Sequence, residues 1–235
     1  MSGRGSRNRT KAKGWLRKAA KALLVLAAIP MVLTLLYLPS FVHPVSTLML
    51  ADLATFQGYD RRWVSIDDVA PVMVNSVIMS EDGQFCNHMG VDWGELRGEV
   101  RDFTKGRPAR GASTISMQTV KNLFLWQRPF GTARKMIEIP GAIYYDLVTP
   151  KRRIIETYLN IAEWGPGIYG IEAGAQYHFK KSAKDLTRRQ AALLAVTLPN
   201  PYVRNPAKPT PNMRRLAARV ERLAARSGAY VQCVD

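Results

Sequence analysis

The 235-residue chain contains only two cysteines and three histidines, and this scarcity argues against a metalloenzyme. Cys86 and Cys233 lie far apart in the sequence and match no metal-binding spacing, and no HExxH or CxxC motif is present. A zinc site is therefore disfavoured, and we predict no metal-binding residues. We interpret the two cysteines as unpaired, although a compartment outside the cytoplasm would permit a disulfide between them.

Charged side chains are missing altogether from residues 22–51. The Leu-rich part of this stretch, up to about residue 42, is long enough to cross the roughly 30 Å hydrocarbon layer of a bilayer as a helix. A cleaved signal peptide is the alternative, but the apolar run is longer than a usual signal sequence and no clear small-x-small cleavage site follows it. We therefore predict one transmembrane helix over residues 22–42.

Acidic residues are also missing before Asp52, whereas basic residues are frequent there. The basic side chains that precede the span are Arg4, Arg7, Arg9, Lys11, Lys13, Arg17, Lys18 and Lys21. The positive-inside rule makes residues 1–21 a cytoplasmic arm and places the rest of a single-pass protein outside the inner (cytoplasmic) membrane, in the periplasm. Such an arm can also bind nucleic acid, but its role in orientation on anionic lipid explains it, so we predict no nucleic-acid partner.

The outer part of the chain is expected to be mainly α-helical. We predict a connector over residues 43–68, a domain over residues 69–235 and a basic loop at residues 106–111. Helices are predicted from Pro71 through Glu81, from a cap at Ser113 through Phe124, and over residues 135–147, 151–162, 171–179, 187–197 and 213–223, with a turn at residues 165–170. No run of alternating strands and no internal repeat is visible. Removing the eight charges of the arm from the net +16 leaves +8, which favours anionic surfaces or phosphorylated substrates.

Glu81 falls on the apolar stripe of its predicted helix. Helical spacing puts Val74, Val77, Ile78 and Phe85 on one face, and Glu81 lies on that same face. Burial disfavours the ionised carboxylate, and the negative end of the helix dipole adds to this, so both effects should raise the pKa of Glu81. A raised pKa suits a general base, while a structural Glu with a buried partner is the alternative.

A second group of candidate residues combines cations with a carboxylate and the start of a helix. Its members are Ser113, Thr114, Gln118, Lys121, Arg134, Lys135 and Glu138. Free N–H groups at the start of the helix favour an anion, and Gln118 and Lys121 lie one turn apart on one face. Taken alone, Arg134 and Glu138 are typical of a solvated ion pair. The combination favours an anion-binding site.

Five ordered motifs resemble those of the family 51 glycosyltransferases, the peptidoglycan transglycosylases. Residues 81–90 match EDxxFxxHxG, residues 111–121 resemble GxSTIxQQxxK, residues 134–138 are RKxxE, residues 151–160 resemble KxxxxExYLN, and residues 167–179 fit the family's fifth block. Met117 stands where the family usually has the first Gln, and Gln190 where a Glu is common. Neither departure affects the two central carboxylates, so substrate positioning alone is put in doubt.

This resemblance implies a lysozyme-like helical fold with a small hydrophobic jaw that rests on the membrane. It also implies the reaction, which is polymerisation of lipid II into β-1,4-linked glycan strands with release of polyprenyl (undecaprenyl) pyrophosphate, in cell-wall biosynthesis. The expected partners are lipid II, the lipid-linked strand and the membrane, with other cell-wall synthases as further candidates. No SxxK, SxN and KTG set of the penicillin-binding transpeptidases is present, so no transpeptidase activity is expected.

The resemblance also assigns roles to residues. Glu81 becomes the base that deprotonates the attacking hydroxyl, and Glu138 orients the cations and is a second candidate catalytic carboxylate. Lys121, Arg134 and Lys135 would hold the leaving pyrophosphate, and Ser113, Thr114 and Gln118 would bind phosphate or sugar. No cofactor is expected; a divalent ion on the pyrophosphate is conceivable, although these cations could make it unnecessary.

His88 and the apolar residues 123–126 also receive predicted roles, and two other functions remain as alternatives. We interpret His88 as a structural residue that supports the Glu81 loop rather than as a base. Residues 123–126 (Leu-Phe-Leu-Trp) are assigned to the membrane-dipping jaw, with buried core as the alternative. A glycan hydrolase on the same scaffold would not need the basic cluster, and a non-enzymatic cell-wall scaffold would leave Glu81 unexplained.

Overall fold

A computed structural model describes residues 4–107, 111–127 and 131–234 of the chain. The helices of this part are α1 (Arg4–Leu36), α2 (Thr47–Ala54), α3 (Pro71–Glu81), α4 (Trp93–Thr104), α5 (Ile115–Phe124), α6 (Gly131–Val148), α7 (Lys151–Ile161), α8 (Ile171–Phe179), α9 (Arg188–Ala195) and α10 (Pro211–Ala224). Three short strands are β1 (Asp60–Arg61), β2 (Glu163–Gly165) and β3 (Ile168–Tyr169). The mainly α-helical prediction is confirmed. Residues 108–110 of the predicted basic loop lie outside the described residues.

Helix α1 contains the predicted transmembrane segment. Residues 14–36 are long and apolar enough to cross a bilayer, and few of their side chains are covered by the rest of the protein. The helix ends at Leu36, whereas the predicted span extended to residue 42. Pro39 explains the earlier end, because a proline disfavours helical backbone at the residue before it.

The core of the domain is built by helices α3, α5, α7, α9 and α10, which pack against one another. Its largest fully buried side chains are Trp164, Tyr145, Tyr158, Tyr169 and Phe85.

Helix α4 was not among the predicted helices. Its apolar residues Trp93, Leu96, Val100 and Phe103 do follow helical spacing, so the sequence carried a signal for this helix that the prediction did not use. Asp92 Oδ1 caps its start by accepting from the N–H groups of Gly94 and Glu95.

The three strands form one small sheet in the order β1-β3-β2. Strand β1 runs parallel to β3, and β2 and β3 form an antiparallel hairpin at the predicted turn. Strands of two or three residues are too short to show an alternating pattern, which is why the sequence did not reveal them. The sheet joins the segment predicted as a connector to the rest of the domain, and Met49 and Ile66 of that segment are buried in the common core.

One arginine holds the chain where it leaves α1. The guanidinium of Arg153 donates to the carbonyls of Tyr37, Pro39 and Val42, and Glu156 accepts from it as well. Arg153 is itself buried, so its charge is satisfied inside the protein. The exit from the apolar helix is therefore fixed to α7.

The interpretation of the cysteines as unpaired is wrong, because Cys86 and Cys233 form a disulfide with a Cα–Cα distance of 5.6 Å. Their separation of 147 residues says nothing about distance in the fold. Val231 and Val234 pack into the main core, and this packing returns the C-terminal segment to the 3-10 turn that contains Cys86. The bond suits the predicted location outside the cytoplasm.

Replacing both cysteines, in Cys86→Ala/Cys233→Ala, is expected to lower the free energy of unfolding by about 2–5 kcal/mol. The reason is that the bond closes a long loop and so restricts the unfolded chain. Urea unfolding of the oxidised protein and the variant, in the same detergent, measures the difference. A variant as stable as the parent would contradict the prediction.

The assignment of residues 123–126 to a membrane-dipping jaw is wrong for its two leucines. Leu123 and Leu125 are buried, Phe124 is partly buried, and Trp126 is 40% exposed. Helix α5 ends at Phe124 and Leu125 has extended backbone, so successive side chains no longer follow one helix face. Four consecutive apolar residues are thereby divided between core and surface. The jaw itself stays a prediction.

Candidate active site

Glu81 is the last residue of α3 and lies between two cavities. The four apolar residues predicted to share its face, Val74, Val77, Ile78 and Phe85, are all buried, while Glu81 is partly exposed. One cavity has a volume of about 360 Å³ and is bounded by Glu81 together with Ser113 and Thr114. We call this cavity the cleft. The second, of about 310 Å³, lies between Glu81 and helix α10.

Hydrogen bonds hold the Glu81 carboxylate in place. Gln118 Nε2 donates to Glu81 Oε2 over 3.1 Å, and the hydroxyl of Tyr158 donates to Gln118 Oε1 over 3.0 Å. The carbonyl of Ser113 also accepts from Gln118 Nε2 over 3.3 Å, and because a carbonyl can only accept, the NH₂ end of the amide faces Glu81. Burial raises the pKa of Glu81, and this rise is opposed by Gln118, Arg204 and Lys121. The result is a fixed carboxylate that is more basic than an ordinary Glu.

If Glu81 acts as the general base predicted from the sequence, the activity of the protein is expected to fall as the pH is lowered through the pKa of Glu81, which lies above the ordinary value of 4.5. A base works only when deprotonated, so activity is present above the pKa of Glu81 in the folded protein and is lost below it. The pH dependence of kcat/KM measures this. An acidic limb at or below 4.5 would show that burial does not control this carboxylate.

The residues that follow Glu81 connect its loop to helix α5. Asp82 is buried, and its carboxylate accepts from His88 Nε2 over 2.9 Å and from the backbone N–H of Ile115 over 2.9 Å. His88 therefore supports this loop, as its structural interpretation requires. Gly90 has a φ of +76°, and a Cβ there would lie 2.5 Å from the carbonyl oxygen of Ala142, so only glycine fits.

The start of helix α5 differs from the prediction. Thr114, rather than Ser113, is the N-cap: its Oγ1 accepts from the N–H of Met117 and donates to the carbonyl of Gly90. The N–H of Ile115 is already bound to Asp82, so it is not free for an anion. The side chain of Thr114 is only 3% exposed, and this geometry favours a structural role for it over substrate binding.

Ser113 points to the cations of helix α6 instead. Lys135 Nζ donates to Ser113 Oγ over 2.9 Å and lies 3.9 Å from a carboxylate oxygen of Glu99. Because Ser113 lines the cleft, this bond brings a positive charge to its wall next to the Glu81 loop. Lys135 and Ser113, which the sequence grouped in one candidate anion-binding site, are therefore in direct contact.

Arg134 and Glu138 form a buried ion pair, contrary to the solvated pair that is typical of this spacing. Arg134 Nε donates to Glu138 Oε1 over 2.5 Å, and Glu138 is only 3% exposed. Arg134 also donates to the carbonyls of Trp126 and Gln127. Glu138 is therefore placed to orient Arg134, and Arg134 in turn holds the segment that follows α5.

Lys121 lies between the two candidate carboxylates. Burial lowers its pKa, while the charges of Glu138 and Glu81 raise it and those of Arg134 and Lys135 lower it further. Within the part of the chain that the structure describes, its ammonium has no hydrogen bond or salt bridge. A mostly buried cation near two carboxylates and two other cations is suited to bind an additional anion.

Comparison with known proteins decides the family. The transglycosylase family model matches residues 49–226. A biosynthetic peptidoglycan transglycosylase from Mesorhizobium japonicum is 69% identical over 228 residues, which cover 97% of each chain. Relatives with the same description from Brucella suis and Rhizobium leguminosarum are 60% and 59% identical, over 92% and 93% of this chain and 96% and 94% of their own. The chain belongs to the transglycosylase family.

The two departures from the transglycosylase motifs have structural explanations. Met117 is fully buried in a small cluster with Val91 and Ala142, so it faces away from the cleft. Gln190 completes a capping box at the start of α9, where its side chain accepts from the N–H of Thr187. Neither residue reaches Glu81, and the doubt that they raised about substrate positioning finds no support in this geometry.

Arg204 and Tyr230 are among the residues that line the cavities of this transglycosylase without having been singled out from the sequence. Arg204 borders the second cavity, where its charge lowers the pKa of Glu81, and it is held by a bond to the carbonyl of Val196. Tyr230 borders the cleft. Arg204 lies in a proline-rich loop and Tyr230 near the C-terminus, where no periodic pattern indicates which way a side chain faces.

Proposed function

We propose that this chain, a peptidoglycan glycosyltransferase that polymerises glycan strands in cell-wall synthesis, uses lipid II as its substrate and Glu81 as its general base. The observation that carries the proposal is a fixed carboxylate with a raised pKa at the edge of a cleft, beside a buried group of cations. The family and enzyme class predicted from the motifs are confirmed by the relatives described above. Residue roles and the membrane orientation are our proposals.

The reaction requires one proton to be removed and one phosphate leaving group to be stabilised. Glu81 takes the proton from the 4-hydroxyl of the N-acetylglucosamine of lipid II as this oxygen attacks C1 of the N-acetylmuramic acid at the reducing end of the strand. The bond from C1 to the pyrophosphate oxygen breaks, and polyprenyl pyrophosphate leaves with its electron pair. A pyrophosphate leaves without a strong acid, so no second carboxylic acid is needed.

Three cations stabilise the charge on the leaving group. The Nε and Nη1 groups of Arg134 already donate to Glu138 and to the carbonyls of Trp126 and Gln127, so Arg134 offers its Nη2 group to a phosphate oxygen, and Lys121 and Lys135 act as point charges. Glu138 keeps Arg134 in position. Among the described residues, no three His, Cys, Asp or Glu side chains form a group that could hold a metal ion. A divalent ion on the pyrophosphate thus has no protein ligands assigned to it here.

Incubation of the purified full-length chain with labelled lipid II tests the proposal. Glycan polymer together with polyprenyl pyrophosphate is the expected product. Shortened glycan from a preformed strand would instead indicate a hydrolase, and the absence of any product would indicate a scaffold. The cation group favours the first outcome, since a neutral glycan gives no reason for Lys121, Arg134 and Lys135.

When reporters are fused to the C-terminus, only a reporter that works in the periplasm should be active. The eight basic residues in the first part of α1, before its apolar stretch, orient the helix with its N-terminus in the cytoplasm, which puts the cleft on the outer side, and the disulfide needs an oxidising compartment. Two fusions after Asp235, one with alkaline phosphatase and one with a cytoplasmic reporter, show on which side of the membrane the C-terminus lies. Activity of the cytoplasmic reporter alone would overturn the orientation.

A further inference from the structure

The C-terminal segment, residues 227–234, contributes to the cleft although it lies beyond the part of the chain that the family model matches. It forms two short 3-10 turns, and Tyr230 in the first of them lines the cavity that also contains Glu81. The side chain of Tyr230 is 42% exposed, so its ring is accessible from the cleft. The cleft of this chain therefore includes a side chain that the matched region does not supply.

Two interactions hold this segment in place. Val231 and Val234 are buried in the main core. Cys233 is bonded to Cys86, five residues after Glu81, and its backbone N–H also contacts Cys86 Sγ at 3.3 Å. The disulfide thus joins the segment that carries Tyr230 to the 3-10 turn that follows Glu81 in the chain.

The composition of the cleft indicates what Tyr230 would contact. Most of the rest of its wall is polar, with the carboxylates of Glu81, Asp92 and Glu95 and the hydroxyl of Ser113 among its groups, and Met79 and Ala112 add smaller apolar parts. An aromatic ring on a mostly polar wall fits a ligand with hydroxyls along its rim and C–H groups on its face. A pyranose ring has this chemistry, whereas a lipid chain or a pyrophosphate does not.

We propose that Tyr230 packs against a sugar ring of the lipid-linked substrate and that the Cys86–Cys233 disulfide holds it there. The inference rests on the proposed function for the identity of the sugar. Tyr230 is a positioning residue: it takes no part in proton transfer or in the departure of the pyrophosphate. Its contribution should therefore appear in substrate affinity and not in the chemical step.

Kinetics with lipid II test the role of the ring. Tyr230→Ala is expected to raise KM about three- to tenfold, as loss of one aromatic packing contact would, with kcat within about twofold. Tyr230→Phe should restore most of the affinity, since the ring is kept. Tyr202→Ala is the matched control, because Tyr202 is 66% exposed, borders neither cavity next to Glu81 and lies outside the five motifs. An unchanged KM in Tyr230→Ala, or equal losses in the Ala and Phe variants, would overturn the proposal.

A binding measurement separates this inference from the proposed function. Fluorescent lipid II is titrated into Glu81→Gln and into Glu81→Gln/Tyr230→Ala, neither of which needs to turn over. Weaker binding by the double variant supports the role of Tyr230 even if the parent fails to polymerise, whereas equal binding overturns it even if the parent polymerises normally.

The disulfide is tested in the same assay. Cys86→Ala/Cys233→Ala should also raise KM. In this cysteine variant the further change Tyr230→Ala should raise KM by a smaller factor than it does in the parent, because the ring is no longer held. A parental KM in the cysteine variant, with melting confirming that it is folded, would show that Val231 and Val234 suffice and would overturn the role of the disulfide.

Discussion

Glu81→Gln is expected to slow glycan polymerisation at least about a hundredfold while leaving the fold intact. The amide has the shape of the carboxylate, but it cannot accept the proton of the attacking hydroxyl. Its melting temperature at pH 7 should be slightly higher than that of the parent, because burial disfavours the charge on Glu81. Gel analysis of labelled glycan, paired with a melting curve, measures both effects.

The sign of the stability change provides an internal check. Because the pKa of Glu81 is raised on folding, ionisation costs stability only at a pH above the ordinary value of 4.5. The stabilisation by Glu81→Gln should therefore disappear near pH 4. Glu221→Gln is the matched control, since Glu221 only pairs with Arg189 on the surface. If Glu81→Gln polymerises at the parental rate, Glu81 is structural and Glu138 becomes the candidate base.

Lys121→Met is expected to lower kcat/KM about tenfold to a thousandfold, which corresponds to roughly 1.4–4 kcal/mol of lost transition-state stabilisation. Methionine keeps much of the volume of a mostly buried side chain and removes its charge. A second effect should accompany the first: Lys121 lowers the pKa of Glu81, so its removal should move the acidic limb of the pH profile to higher pH. Measurement of kcat/KM against pH records both.

The combined result distinguishes a role in catalysis from a general loss of fold. A misfolded variant would lose activity without a shift of the pH profile. Lys184→Met is the control, because Lys184 pairs with Asp68 at the surface. Near-parental turnover of Lys121→Met, with lipid II well below saturation, would show that the leaving pyrophosphate is held elsewhere; Lys135→Ala would then be the next variant to test.

The sequence predicted the elements that repeat a pattern and missed those that depend on distant contacts. The apolar stripe of α3 correctly indicated that Glu81 lies against the core, because helical spacing is a local property. The same reasoning failed at residues 123–126, where the helix ends within the apolar run. The small sheet was missed because its strands are too short to show a period, whereas the helical spacing of Trp93, Leu96 and Val100 in α4 was present in the sequence and was overlooked.

The candidate site was predicted as a set of residues but not as an arrangement. Sequence motifs brought Glu81, Lys135 and Ser113 into one hypothesis. In the structure Glu81 and Ser113 line one cleft, and Lys135 donates to Ser113. That Thr114 caps α5 while Ser113 meets Lys135 depends on how α5 and α6 pack, which spacing does not reveal. The partnership of Cys86 with Cys233 was likewise invisible, since only the return of the C-terminal segment to the core brings the two together.

The buried guanidinium of Arg153 has a mechanical consequence. The three carbonyls that it binds are those of Tyr37, Pro39 and Val42, in the short segment that follows α1. Without these bonds the domain could rotate about this segment relative to α1. If α1 spans the membrane as proposed, a domain that rotated about this segment would vary in its height above the lipid headgroups. A rigid joint would keep that height constant, so the protein itself would set the depth at which a lipid-linked sugar meets Glu81.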